Sequence, residues 1–323
     1  MLKRLVPDNF VLVLLGTIVL ASLLPVSGAA AGLAELISAA AIFLLFFLHG
    51  LRLPRADVLT AMRNWRLQCV IFLFVFAAMP VAGQVVAPIA ASFLPAIFVT
   101  GLVYLTILPS TVQSAISYSS IAGGNVAASV MASAVLNLSA IFATPLLVVL
   151  LIGGAGNANI GSDVVIKIAA IVLLPFAIGQ IAQGQLGAWA AQRKSLLSFM
   201  DKSAIAIAVY VAFSASVVAG LWSRVDMGTL VILTGFIALL LAFAFCASWL
   251  LGKILNIPRP DHISLIFAGS HKSIATGAPL AAILFAGPEA GTIILPALIY
   301  HQLQLIISAP VAARLAGKGL QAT

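Results

Sequence analysis

The feature that most constrains this chain is a series of apolar runs, each about 20 residues long, separated by short polar connections. A run of that length matches one helical crossing of a hydrocarbon core about 30 Å thick. In hydrocarbon a helix satisfies its own peptide groups, so such runs read as spanning helices. Composition agrees, with 63% of the 323 residues hydrophobic and 7% charged. The fold class predicted is an all-α polytopic membrane protein, in contact with the lipid bilayer over most of its surface. The spans fall at 10–27, 32–51, 67–88, 95–122, 126–152, 164–183, 203–222, 228–252, 262–286 and 290–314. They leave almost nothing for a soluble domain. The basic start "MLKRLVPDNF" leads straight into a full-length run and reads as a retained first helix, not a cleaved signal peptide.

The net charge of +8 is distributed in a way that tests the count. Lys3 and Arg4, then Arg52, Arg55, Arg63 and Arg66, then Arg193, Lys194 and Lys202, then Lys253 and Arg259, and finally Arg314 and Lys318 all fall on one side. Arg224 and Lys167 fall near the other. By the positive-inside rule both termini are cytoplasmic, and the basic charge reports anionic lipid, not nucleic acid. The segment 53–66 reads as a short interfacial helix whose arginines anchor the topology. Cys69 and Cys246 lie inside apolar runs and read as small packing residues, with no disulfide.

Two spans are interrupted. "PSTVQSAIS" (Pro109–Ser117) in span four and "AGSHKSIAT" (Ala268–Thr276) in span nine share a pattern of serine, one or two residues, a polar or charged residue and a second serine. A small turn follows each, "AGGN" (Ala122–Asn125) and "AGPE" (Ala286–Glu289), and then a long span with a late proline, Pro145 or Pro310. The two spans run in opposite directions, so five plus five spans form an inverted repeat, a transporter signature. Proline inside a helix removes a donor and clashes with the preceding turn, and in hydrocarbon the freed carbonyls need a partner. Lys272 lies 11 residues past Asp261, hence about 16 Å deep at 1.5 Å per residue, near the midplane. Pro109 is comparably central in its span, so the two interruptions are expected to meet at one level.

Span five carries Asn125, Ser129, Ser133 and Asn137 at intervals of four, hence on one helix face. That stripe reads either as interhelical hydrogen bonding or as ligands beside the broken helix, and ligation is favoured. Span ten carries a looser set, Tyr300, His301, Gln304 and Ser308. Around the second break, Ser270, His271, Lys272 and Ser273 join Asn137, His301 and Gln304 as candidate substrate or coupling residues. In a regular turn His271 would point about 100° away from Lys272.

These segments resemble a known family. "PSTVQS" followed by "GGNVAASVMASAVLNLSAIFATPLL" (Gly123–Leu147) resembles the bile acid:sodium symporter family, and "GSHKSIATGAPLA" (Gly269–Ala281) resembles its bacterial SBF-like branch. The resemblance covers nearly the whole chain. It implies one transmembrane transporter domain over 1–323, with repeats at 1–155 and 160–316. It implies a panel (10–51, 164–222) and a core (67–152, 228–314), with discontinuous helices four and nine crossing. It implies the bacterial inner membrane, and sodium bound by Thr111, Gln113, Ser114, Asn125, Ser129 and Ser133. Beyond that possible Na⁺ no cofactor is expected, and no oligomeric state is specified. The symporters carry a glutamate in the span-nine break, whereas this chain reads Phe267-Ala268-Gly269-Ser270-His271-Lys272. An ammonium there repels a further cation by roughly 4 kcal/mol at 4 Å and an effective dielectric of 20. Two sodium ions are therefore not expected. Lys272 reads as a stand-in for the second cation, as a partner of an anionic substrate, as a proton-coupling group, or as a structural donor to backbone carbonyls.

Function follows as sodium-coupled symport of an organic anion, a bile-acid-like or other amphipathic carboxylate or sulfonate. The alternatives are proton-coupled or uncoupled transport through Lys272, or a regulatory membrane protein of the same fold. A membrane enzyme is disfavoured, because the eight acids lie in loops or at span ends and no DxxxD, HExxH or GxSxG motif appears.

Overall fold

The computed structural model describes residues 9–52, 64–153, 162–285 and 287–320, and these are helical with short connections. The helices are α1 (Asn9–Leu23), α2 (Ala29–Arg52), α3 (Trp65–Ala90), α4 (Ala96–Thr106), α5 (Gln113–Ile121), α6 (Val126–Leu151) and α7 (Ser162–Gln192). They continue as α8 (Lys194–Val218), the single turn α9 (Leu221–Arg224), α10 (Met227–Ile254), α11 (Arg259–Ser270), α12 (Ile274–Leu284) and α13 (Ala290–Leu320). Seven described helices are long and apolar enough to cross a bilayer. Spans four and nine are each split into two half-helices, α4–α5 and α11–α12. Most of the interfacial helix expected over 53–66 lies outside the described residues; Trp65 and Arg66 open α3.

The outer surface is apolar, with Leu23, Ile181 and Met227 each more than 70% exposed. Such side chains are stable there only against lipid. Cys69 and Cys246 also face outward, which corrects their reading as packing residues. The periodicity of an all-apolar helix does not say which side is interior.

Helices α2 and α7 pack along most of their length, and α8 lies on α1 and α2. Gly50 and Gly179 make the α2–α7 approach possible: a Cβ on Gly50 would strike the Phe176 carbonyl, and one on Gly179 the Phe47 carbonyl. Helix α13 packs on α4, α10 and α12, while α11 sits against α5, α6 and α10. The two halves of the chain match beyond the sequence repeat. Pro95 and Pro258 each precede the first half-helix with nearly the same backbone angles, φ −52° and ψ 144° against φ −51° and ψ 141°. Gly123 and Gly287 each turn the chain after the second half-helix at positive φ, +76° and +110°, where a Cβ is strained.

Candidate transport site at the crossing of two broken helices

The chain between α4 and α5 leaves the helix at Ile107 and resumes it at Gln113. Peptide groups so exposed in the membrane interior must be matched, and here they are matched one by one. The Val103 carbonyl accepts from the Thr106 hydroxyl (2.7 Å), and the Tyr104 and Leu105 carbonyls accept from the Ile107 and Leu108 N–H groups. Thr106 and Leu108 each accept from Lys272 Nζ at 2.7 Å. Ile107 accepts from the Thr144 hydroxyl (3.1 Å) and Pro109 from the Ser273 N–H (2.8 Å). Ser110 accepts from Asn137 Nδ2 (2.9 Å), Thr111 from the Ser133 hydroxyl (3.2 Å) and Val112 from the Ile116 N–H (3.3 Å). Ten consecutive carbonyls thus have donors, several supplied by the second repeat.

Lys272 is 1% exposed. Its ammonium sits at the carbonyl end of α4, where the half-helix dipole is negative. A third acceptor, the Val75 carbonyl at 3.4 Å, comes from the π-helical stretch Phe74–Ala78 within α3. The wider π turn offsets the local hydrogen-bonding ladder and is a recurrent feature of functional sites. Lys272's own peptide is clamped by Gln304, which accepts from its N–H (2.7 Å) and donates to its carbonyl (3.2 Å). Tyr104 and Tyr300 brace the crossing by donating to the Gly277 carbonyl (2.6 Å) and the Ser270 carbonyl (2.7 Å).

His271 diverges from its neighbour. Its Nδ1 lies 2.9 Å from Ser114 Oγ and 3.2 Å from Thr111 Oγ1, and its Nε2 lies 2.8 Å from Ser308 Oγ. The ring is fully buried between Tyr118 and Phe267. It therefore ties α5 and α13 to the second break. Because the break has no helical period, the 100° separation expected of a regular turn does not set the angle between the two side chains.

A cavity of about 1020 Å³ adjoins the crossing. Of the predicted residues, Thr111, Gln113, Ser114, Ser133, Asn137, Ser273 and His301 line it. Ser270, His271, Lys272 and Gln304 are buried behind its wall and hold the crossing together. The span-five stripe divides. Ser133 and Asn137 serve the first break, Asn137 also accepting from Thr276 (2.8 Å). Ser129 donates to Ser119 (2.8 Å), away from the cavity. Asn125 caps α6, accepting from the Ala128 N–H (3.0 Å) and donating to Asp261 (2.7 Å).

The same cavity is lined by residues that the sequence reading assigned to loops or passed over. Arg52, counted among the cytoplasmic loop charges, pairs with Asp201 through Nη1 at 2.5 Å. Both line the cavity, together with His49 and Lys202. An acid and a base on apolar helices were the available signal, but their pairing across 149 positions leaves no local pattern.

The sequence matches the model of the SBF-like CPA transporter family over residues 8–317. An uncharacterized protein of Pseudomonas aeruginosa is 39% identical over 313 residues, which is 97% of this chain and 94% of that one. The putative symporter YfeH of Escherichia coli is 37% identical over 309 residues, 95% and 92% of the two chains. Sodium/bile acid cotransporter 7-B of Xenopus laevis is 26% identical over 317 residues, 95% and 91%. The family is one of transporters and not of enzymes. With its broken helices crossing inside an all-helical membrane fold, the chain belongs to the SBF-like CPA transporter family, within the bile acid:sodium symporter superfamily.

Proposed function

We propose that this chain is a secondary transporter that carries a small organic anion by alternating access, and that Lys272 supplies from within the chain the charge that a second coupling cation would supply. The observation that carries the reading is the Lys272 ammonium bonded to the carbonyls of Thr106 and Leu108, with Val75 close by. Three backbone oxygens around one buried positive charge is how a hard cation would be held. Helices α1, α2, α7 and α8 act as the panel against which the crossing moves, with both termini cytoplasmic and the inner membrane as the location. One sodium couples, at the hydroxyl edge of the cavity formed by Thr111, Ser114 and Ser133, whose oxygens suit it. A relative named as a sodium/bile acid cotransporter supports that coupling. In proteoliposomes, cholate uptake is expected to rise with external sodium at a Hill coefficient near 1. A coefficient near 2 would exclude the stand-in role of Lys272. Absence of uptake of any carboxylate or sulfonate under every ion gradient would leave a regulatory role.

A second reading has its own support. His271 Nδ1 lies within hydrogen-bonding distance of both the Ser114 and Thr111 hydroxyls, so those oxygens already have a nitrogen partner. Uptake unaffected by replacing sodium with choline would favour this cation-independent reading.

A further inference from the structure

The crossing places a nitrogen where the hydroxyls of the first break need a proton acceptor. A hydroxyl has one O–H donor and two lone pairs, so it ligates a cation through oxygen only when its proton is directed elsewhere. Thr111, Ser114 and Ser133 all line the cavity, and each has somewhere to send its proton. Ser133 gives its own to the Thr111 carbonyl at 3.2 Å. Thr111 Oγ1 and Ser114 Oγ lie 2.6 Å apart, so one donates to the other and a single proton is left between them. His271 Nδ1 is within reach of that proton, 2.9 Å from Ser114 Oγ and 3.2 Å from Thr111 Oγ1. The shorter contact assigns the order: Thr111 donates to Ser114, and Ser114 donates to Nδ1. Thr111 Oγ1 also accepts from the Ala115 N–H at 3.2 Å, so Thr111 and Ser114 each keep one lone pair.

This ledger requires that Nδ1 be bare. His271 is fully buried, and its hydrogen-bond partners among the described residues are the hydroxyls of Thr111, Ser114 and Ser308. With no acid paired to it, the buried ring is neutral, so one nitrogen carries a proton and the other does not. The hydrogen bond made at one nitrogen sets the state of the other. Nε2 lies 2.8 Å from Ser308 Oγ on α13, an oxygen able to accept. A proton on Nε2 satisfies Ser308 and frees Nδ1 for the Ser114 proton. A proton on Nδ1 would be donated to the same hydroxyls, and one of their O–H groups would then be left without an acceptor at the break.

Resting on the sodium reading above, we infer that His271 is the positioning residue of the cation site: its bare Nδ1 takes the Ser114 proton, so that the oxygens of Thr111 and Ser114 keep lone pairs for the ion. The nitrogen partner of these hydroxyls then occupies their protons and not their lone pairs, and it prepares the site for sodium instead of filling it. A neutral acceptor does this without placing a further charge beside Lys272. Ser308 takes part at a distance, because its contact with Nε2 fixes which nitrogen is bare.

The test uses the full chain in lipid nanodiscs, with sodium chloride titrated against choline chloride at constant ionic strength and thermal unfolding as the readout. Two amide variants divide the ring. His271→Asn keeps an acceptor oxygen at the place of Nδ1 and loses the contact with Ser308. His271→Gln reaches Ser308 and leaves the place of Nδ1 without an acceptor. His271→Gln is expected to weaken the apparent sodium affinity about tenfold or more. His271→Asn is expected to weaken it by less, although its tie to α13 is gone and it unfolds at the lower temperature of the two. If sodium affinity is lost equally in both, or follows stability with His271→Asn the weaker binder, His271 is only a tie between the breaks and α13, and the inference fails while the sodium reading stands. Nitrogen NMR of the histidine-labelled chain checks the tautomer directly, His271 being assigned by replacing the other three of the four histidines in turn. A proton on Nε2 and none on Nδ1 is expected, and a proton on Nδ1 overturns the inference. Should neither amide variant fold, the tautomer decides. If sodium stabilises the unaltered chain no more than choline does, the sodium reading fails and this inference with it.

Discussion

Ser273 donates its peptide N–H to the carbonyl of Pro109 across 2.8 Å, joining the break in the first repeat to the break in the second. Each interruption leaves peptide groups that its own helix cannot satisfy; this pair satisfies each other, and the rest are matched by the Lys272 ammonium and by side chains of α6 and α13. The crossing is thus a shared solution to one electrostatic problem, and its weak points follow from its donors.

Lys272→Met removes the ammonium while keeping an unbranched apolar stem. The Thr106 and Leu108 carbonyls then lose their donor in a buried setting, where an unmatched group costs about 1–3 kcal/mol. Stability is expected to fall by about 2–5 kcal/mol, measured as a lower unfolding temperature in nanodiscs. Part of the loss is expected to return when sodium is added, on top of the stabilisation that sodium gives the unaltered chain. Equal loss with and without salt would count against cation mimicry.

Asn137→Leu keeps the branching at Cγ but leaves the Ser110 carbonyl without Nδ2 and the Thr276 hydroxyl without its acceptor. A cost of about 1–3 kcal/mol is expected. Because Asn137 also lines the cavity, substrate uptake in proteoliposomes should fall more than the amount of folded protein does.

Gly277→Val tests how closely α12 approaches the first break. A Cβ at Gly277 would lie 2.6 Å from Leu108 Cδ1. The added bulk is expected to push on the chain segment that holds the Leu108 carbonyl against Lys272, and to destabilise by about 1–3 kcal/mol. Pairing it with Leu108→Ala should recover part of that loss, which a double-mutant cycle measures.

Asp226 caps α10 by accepting from the Thr229 N–H at 2.6 Å. That bond holds its carboxyl below the ordinary carboxylate value of 3.8. A depressed acid contributes stability above its unfolded value and loses it as pH falls through the folded one. Below about pH 4, therefore, the α10 cap weakens. Asp226→Asn keeps a capping oxygen and should flatten this acid dependence in thermal unfolding followed by circular dichroism.

Much of this architecture was legible because the bilayer removes alternatives. Proline and clustered hydroxyls in the middle of a 20-residue apolar run cannot be a surface loop, so the first break and its opposed repeat follow from Pro109–Thr111 and Ser270–Ser273. The depth expected for Lys272 follows from counting residues. What it touches does not, because the acceptors belong to the carbonyls of Thr106, Leu108 and Val75, and backbone groups have no signature in a sequence. The stripe on span five gave a face but not the height at which its partners change. Asn125 and Ser129 consequently sit with Asp261 and Ser119, while Ser133 and Asn137 serve the break. Arg52 and Asp201 were hidden for a related reason: hydrophobic periodicity orients each helix but does not pair α2 with α8.

The lysine that closes the first break is tethered by its own backbone, and this sets how the joint answers to its surroundings. A joint sealed by dissolved ions loosens when they are diluted away, since their occupancy follows concentration. One sealed by a covalently attached ammonium does not. The contacts of Lys272 with Thr106, Leu108 and Val75 are therefore expected to hold in fresh water and in brine alike, whatever the occupancy of the sodium site beside them.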